Sequence, residues 1–150
     1  MPVSSESEIS LASDSAQIER CCDAMRELRP QVDAASFTER VLVQQKQGFQ
    51  LAYVHSGGEI RSVAGFRITE TLFAGRTLYV DDLVTRATDR SRGFGGQLFD
   101  WLINYAIAHG CKHLTLDSGV QRFAAHRFYL NQGMDITAHH FVLQLDAAKP

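Results

Sequence analysis

The sequence predicts a mixed α/β (α+β) fold, in which helices flank a mostly antiparallel central sheet that contains one parallel strand pair. The first observation is the order of the hydrophobic periods: strand, two helices, three antiparallel strands, helix, strand, helix, strand. The second is the strand–turn–helix segment at residues 80–101, which leads into another short strand. A strand, a crossover helix and a second strand indicate a parallel pair.

Composition restricts the class of protein. The 150 residues fit one domain, residues 1–150, and are enough to build a core. Hydrophobic residues make up 45%, charged residues 21%, and the net charge is −2, so nothing suggests a nucleic-acid partner. We also expect no membrane partner, because the chain lacks an apolar run of about 18 residues and a secretory pattern. The three cysteines have no metal or redox spacing and fit a reducing cytoplasm.

The N-terminal part predicts a short first strand at residues 9–12 and then a helix. Asp14 and Gln17 have the spacing of a capping box, in which each side chain satisfies a free N–H of the other residue. Apolar residues then recur at helical spacing until Pro30.

A second capping box is predicted at Ser36 and Glu39. It would open a helix over residues 37–47, which ends at Gly48.

The middle of the chain predicts an antiparallel meander. Residues 50–55 and 60–68 alternate as strands around the Ser-Gly-Gly turn at 56–58. A loop over 69–75 leads to the third strand at 76–85.

The C-terminal half predicts helices and strands in alternation. An apolar stripe marks a helix that ends at Gly110, and a short strand follows at 113–117. A helix is expected over 121–130 and a last strand over 136–145, where apolar residues alternate.

A glycine turn opens the helix after the third strand. The first N–H groups of a helix have no internal partner, so a turn with Gly93 and Gly95 is a candidate phosphate cradle. A nucleotide-binding oxidoreductase is disfavoured, because position 98 is Leu and the third glycine of its fingerprint is missing. The run with Arg90, Gly93 and Gly95 resembles the pyrophosphate loop of the GNAT superfamily of acetyl-CoA-dependent N-acetyltransferases, whose element order also covers nearly the whole chain.

A second segment carries the same resemblance. Ala125, Phe128, Tyr129 and Gly133 follow the GNAT pattern Ala-x-x-Phe-Tyr-x-x-x-Gly-Phe, with Met134 in the last place. The resemblance implies that Tyr129 protonates the departing CoA thiolate, a role that a phenol can fill as charge develops on sulfur. The alternative is that Phe128 and Tyr129 are core aromatics.

Two arginines flank this segment. Arg122 stands where many GNAT members have Asn, and the run 120–129 resembles the aminoalkylphosphonate acetyltransferase branch. Arg122 and Arg127 are therefore candidate contacts to an anion, on the substrate or on CoA. They are otherwise solvated charges on a helix face.

Asp81 and Asp82 interrupt the third strand and are the candidate general bases for an acceptor amine. Neighbouring strand residues point to opposite faces, so at most one should face the reaction unless a bulge intervenes. We favour Asp81 on the resemblance, with Asp82 as the alternative, and a polar interruption that faces water remains open.

The resemblance implies direct acetyl transfer from acetyl-CoA to a primary amine of a small molecule. His126, His139 and His140 have no metal-ligand spacing, so we expect no metal. It also implies a homodimer formed through the last strand. A non-catalytic acyl-CoA-binding regulator on the same fold is the alternative. The residues expected to bind acetyl-CoA are Leu83, Val84, Thr85, Arg90, Ser91, Arg92, Gly93, Phe94, Gly95, Gly96 and Arg122.

Overall fold

The computed structural model describes residues 6–146. The chain packs into two compact units, Met1–Leu116 and Asp117–Pro150. The first unit contains a five-stranded sheet, antiparallel except for one parallel pair, with helices against it. The predicted fold class is confirmed. Among the helices of residues 6–146, none has the length and apolar character needed to cross a bilayer.

The N-terminal segment forms a strand and a helix that breaks in the middle. Strand β1 (Glu8–Leu11) precedes α1 (Ser15–Arg20) and α2 (Cys22–Leu28). The capping box at Asp14 is present, with the Gln17 N–H donating to its carboxylate at 2.8 Å. The single helix predicted up to Pro30 is interrupted at Cys21, whose N–H bonds to a carbonyl only three residues back.

The second predicted capping box is wrong. Helix α3 (Phe37–Gln45) begins after Ser36, but no hydrogen bond from the Ser36 side chain caps it. A short 3-10 turn, Ala34–Ser36, precedes the helix and leaves Ser36 with a ψ of 0°. A capping serine needs an extended backbone, so this geometry explains the loss of the cap.

The meander forms as predicted, with longer strands. It consists of β2 (Phe49–Ser56), β3 (Glu59–Thr71) and β4 (Gly75–Thr85). Gly57 and Gly58 make the first turn with φ of 61° and 77°, a region that favours glycine. The sheet order is β1-β2-β3-β4, extended beyond β4 by the fifth strand.

The parallel pair lies at the other end of the sheet. Helix α4 (Phe94–Ala108) crosses over to β5 (His113–Leu116), which pairs in parallel with the first part of β4. The sheet is covered on both faces. On β2, Leu51 and Tyr53 pack in the core with α1–α3, whereas Ala52 and Val54 pack in the core with α4.

The second unit contains α5 (Phe123–Asn131) and the segment that follows it. The predicted last strand at 136–145 is not formed, since the structure gives these residues no regular secondary structure. Their alternation is typical of a strand, but within residues 6–146 no strand pairs with them. Apolar side chains there are exposed: Ile136, Phe141, Val142, Leu143 and Leu145.

Candidate active site

A β-bulge places both acidic side chains of β4 in one cavity. In the β3–β4 register, Gly65 pairs with Asp82 but Phe66 pairs with Val80, so Asp81 is the extra residue. A bulge re-aims side chains that would otherwise alternate between faces. Asp81 and Asp82 accordingly both line a cavity of about 330 Å³, together with residues of α2, α3 and β2.

Gly65 makes room for this arrangement. A Cβ atom at residue 65 would lie 2.6 Å from Cζ of Phe49 and 2.7 Å from Oδ2 of Asp82. Both distances are shorter than any van der Waals contact allows. The absence of a side chain on β3 therefore lets the Asp82 carboxylate rest against the sheet.

Asp81 is held by a two-pronged ion pair. Arg67 on β3 donates from Nε to Oδ1 at 3.0 Å and from Nη2 to Oδ2 at 2.8 Å. The same guanidinium lies over the Phe49 ring, 5.4 Å from its centroid. Both carboxylate oxygens of Asp81 are therefore occupied by a group that stays charged.

Asp82 has a different environment. Its Oδ1 accepts from Nε of Arg29, where α2 ends, at 2.9 Å. Nη2 of Arg29 donates to the main-chain carbonyl of Asp81 at 3.0 Å. Burial raises the pKa of Asp82 and outweighs the opposing effect of Arg29. A carboxylate with a raised pKa is a stronger base, so Asp82 is the better suited of the two for proton transfer.

The buried carboxylate of Asp89 holds the segment that leads into the glycine turn. Asp89 is 2% exposed and accepts from Nη1 of Arg61 at 3.0 Å and from Nη1 of Arg92 at 3.1 Å. Gly93 then has a φ of 88°, and Phe94 begins α4. The Arg92 guanidinium thus supports the turn, while Nε of Arg90 lies 3.4 Å from the carbonyl of Thr85.

The end of β4 lies beside this turn. Pairing between β4 and β5 stops at Val80 and Leu116, so in the described chain the rest of β4 pairs with β3 alone. A Cβ on Gly95 would lie 3.0 Å from Oγ1 of Thr85, which shows how closely α4 approaches the strand. The structure therefore brings together the segments predicted to bind acetyl-CoA: Leu83, Val84, Thr85, and the turn from Arg90 to Gly96.

The second unit carries the other predicted residues on or next to α5. Tyr129 is half-buried, and the Phe128 ring packs edge-on against it with centroids 5.6 Å apart. Arg122 precedes the helix, and its side chain makes no capping hydrogen bond. His126 Nε2 lies 2.8 Å from the carbonyl of Gly119, which gives this histidine a structural contact. The roles of Tyr129 and Arg122 stay predictions.

Sequence reasoning missed the arginines that hold the acidic groups. Arg29 and Arg67 are 53 and 14 residues from their partners, and no local pattern links them. Asp89 offered one signal, because Arg92 follows it at a spacing typical of a local ion pair. The burial of the Asp89 carboxylate could not be predicted, because loop residues show no hydrophobic period that would indicate it.

Known proteins resemble this chain in sequence. The sequence profile of the family described as acetyltransferase (GNAT) matches residues 15–134. The chain is 34% identical over 119 residues to an uncharacterized N-acetyltransferase, YhdJ, of Bacillus subtilis, which covers 78% of this chain and 84% of the relative.

Solved structures share the fold. An aminoglycoside N-acetyltransferase in complex with CoA superimposes with a TM-score of 0.80 at 14% identity, covering 97% of this chain and 98% of that one. A transcriptional regulator from Bacillus halodurans C-125 superimposes with a TM-score of 0.78 at 21% identity, covering 93% and 99%. A ribosomal-protein-alanine N-acetyltransferase from Brucella melitensis gives 0.78 at 16% identity, also covering 93% and 99%.

Proposed function

The chain belongs to the GNAT family of acetyltransferases, and on this premise we propose that it transfers the acetyl group of acetyl-CoA directly to a primary amine of a small molecule. The observation that carries the proposal is the bulge that places Asp82 in a cavity with its pKa raised by burial. An acceptor ammonium must lose a proton before its nitrogen can attack a thioester, and such a carboxylate can take that proton.

The residues of the glycine turn fit the pyrophosphate of CoA. The left-handed Gly93 lets the chain enter α4 with no side chain over the first free N–H groups, where an anion is stabilised. Arg90 at the exposed edge of the turn adds a positive charge. We propose that residues 91–96 and Arg122 also bind the CoA pyrophosphate. Acetyl-CoA supplies the activated acetyl group, as a thioester.

The end of β4 is assigned to the acyl arm. Beyond Val80 this strand is released from β5, so its main chain can offer hydrogen bonds on that edge. We propose that Leu83, Val84 and Thr85 hold the pantetheine and that an N–H near Val84 polarises the acetyl carbonyl. Ser62, which donates to the carbonyl of Val84 at 2.9 Å, fixes this part of the strand.

Asp82, rather than Asp81, is our choice for the general base. This reverses the preference drawn from the sequence, since both oxygens of Asp81 are engaged by Arg67. The role proposed for Asp81 is to hold the bulge in place through that ion pair. Tyr129 is proposed as the acid that protonates the departing thiolate.

The proposal extends to assembly and location. We propose a homodimer in which the exposed apolar residues of 136–145 pair with a second copy, because an alternating apolar segment gains a partner that way. We also propose a cytoplasmic location, in keeping with three free cysteines among the described residues. The aminoalkylphosphonate branch remains a proposal about the substrate.

The experiment is to mix the purified protein with acetyl-CoA and a panel of primary amines and to follow free thiol. We expect thiol release that depends on the amine and an equal amount of N-acetylated product by mass spectrometry. Tight CoA binding without any amine-dependent release would instead favour the non-catalytic regulator.

A further inference from the structure

The cavity beside Asp82 is lined by both polar and apolar side chains. Strand β2 contributes Phe49 and Leu51, β4 contributes its two acidic residues, and helix α3 also lines it. Phe37, Arg40, Val41 and Gln44 are spaced three and four residues apart and all line the cavity, so one face of α3 points into it. At about 330 Å³ the cavity is at the small end of ligand sites.

One positive charge that lines this cavity has no carboxylate partner among the described residues. Asp81 is paired with Arg67, and Asp82 with Arg29. Arg40 also lines the cavity, and in the part of the chain that the structure describes its guanidinium has no hydrogen bond or ion pair. Arg29 and Arg40 line the cavity with Asp81 and Asp82, whereas Arg67 holds Asp81 from outside the lining. Arg40 is therefore the lining guanidinium that no carboxylate of the described residues neutralises.

We infer that the acceptor is a small amino acid-type molecule, whose amine lies at Asp82 and whose anionic group, a carboxylate or phosphonate, lies at Arg40. The inference rests on the proposed acetyltransferase function. Phe37 and Val41 also line the cavity, and their apolar side chains suit a short hydrocarbon spacer. Gln44, one turn after Arg40, can donate a further hydrogen bond to the anion.

Asp82 also suits the chemistry, because the bound ammonium must lose a proton to a base before the neutral amine can react. The nitrogen lone pair forms the new C–N bond, the C–S bond breaks, and its electron pair leaves on sulfur. Nitrogen loses two protons in all. The ammonium proton passes to Asp82, and the second, lost as the amide forms, balances the proton that Tyr129 is proposed to deliver to the thiolate. The further ammonium groups of a polycation would find only Asp81, already paired with Arg67, among the other described carboxylates that line this cavity.

The test compares matched acceptors in the thiol-release assay. L-leucine is paired with L-leucinamide, and 2-aminoethylphosphonate with 2-aminoethanol, so that each pair differs in the anionic group. Spermidine represents a polycation. We expect at least one acid to exceed its neutral partner about tenfold or more in kcat/KM. L-leucinamide has the less basic amine and therefore a larger neutral fraction, which favours the amide. A preference for the acid therefore cannot come from this difference in basicity.

Variants locate the anion. Arg40→Gln keeps a polar side chain but removes the charge, and should raise KM for the preferred acid about ten- to a hundredfold, the scale of a charged hydrogen bond. The same variant should leave the neutral partner unchanged, and Arg40→Lys should restore part of the loss. Arg20→Gln, at an exposed arginine on α1 outside the cavity, is the matched control.

The outcomes separate the two proposals. A preference for the acid that Arg40→Gln removes and Arg20→Gln retains supports the inference, and the preferred acid distinguishes carboxylate from phosphonate. Preference for spermidine or the neutral amines, or an acid preference that survives Arg40→Gln, overturns the inference and leaves the acetyltransferase function standing. Absence of release with every amine removes the proposed function and this inference with it.

Discussion

Gly65→Ala tests whether the position of Asp82 matters for turnover. The added methyl would begin 2.7 Å from Oδ2 of Asp82 and 2.6 Å from the Phe49 ring. The carboxylate must then move by about 0.7 Å to reach an ordinary 3.4 Å contact. Misplacement of a catalytic group by about 1 Å can cost about a hundredfold, so we expect kcat to fall about ten- to a hundredfold.

The same substitution has a cost in stability. Overpacking a core lowers the free energy of unfolding by about 1–3 kcal/mol, which is about 2–12 °C in Tm for a chain of this size. Steady-state kinetics and thermal unfolding together separate the two effects, provided that the assay temperature lies well below Tm.

Acetyl-CoA affinity, measured by calorimetry, is the control for Gly65→Ala. Residue 65 lies on β3 outside the glycine turn, so this affinity should stay unchanged while kcat falls. Full kcat in a folded Gly65→Ala protein would refute the placement of the base at Asp82.

Three further predictions concern the other proposed parts of the site and the assembly. Tyr129→Phe keeps the ring but removes the proton donor, so turnover should fall about ten- to a thousandfold with acetyl-CoA affinity nearly unchanged, as kinetics and calorimetry would show; full turnover would make Tyr129 a packing residue. Gly93→Val places a side chain at a φ of 88° and over the cradle, so CoA affinity should drop about tenfold or more by calorimetry, while Gly48→Val, at a φ of 98° outside the turn, should retain it; an unchanged affinity in a folded Gly93→Val protein contradicts the cradle. Light scattering at micromolar concentration should give the mass of a dimer, and Phe141→Asp should shift it toward a monomer; a monomeric wild-type protein would count against pairing through residues 136–145.

Local chemistry explains which parts of the fold the sequence could predict. The cap at Asp14 and the meander follow from neighbouring residues and periodicity, and both are present. The cap at Ser36 failed because the preceding turn set its backbone. The strand at 136–145 failed because alternation indicates that a segment can pair and says nothing of whether a partner strand is present.

The candidate site also has features that the sequence could predict and features that it could not. Its residue types, a glycine turn and two acidic residues on a strand, could be read directly. Their arrangement depends on the β3–β4 register, which no local pattern encodes. The sequence could therefore show only that a bulge would be needed to bring both acidic side chains to one face, and not that a bulge lies at Asp81. The distinction between Asp81 and Asp82 depends on Arg67 and Arg29, which reach them from other elements.

The most direct measurement is the pH dependence of acetyl transfer by the wild-type protein, Asp82→Asn and Asp81→Asn. The base must be ionised, and burial raises the pKa of Asp82, so wild-type kcat/KM should fall as the pH drops through that raised value. Asp82→Asn should show its largest loss relative to the wild type at moderate pH and recover at high pH, where the amine is already neutral. Asp81→Asn should lose activity by a factor that varies little with pH. Equal pH profiles for Asp82→Asn and the wild type, or the recovering profile in Asp81→Asn instead, would contradict the account.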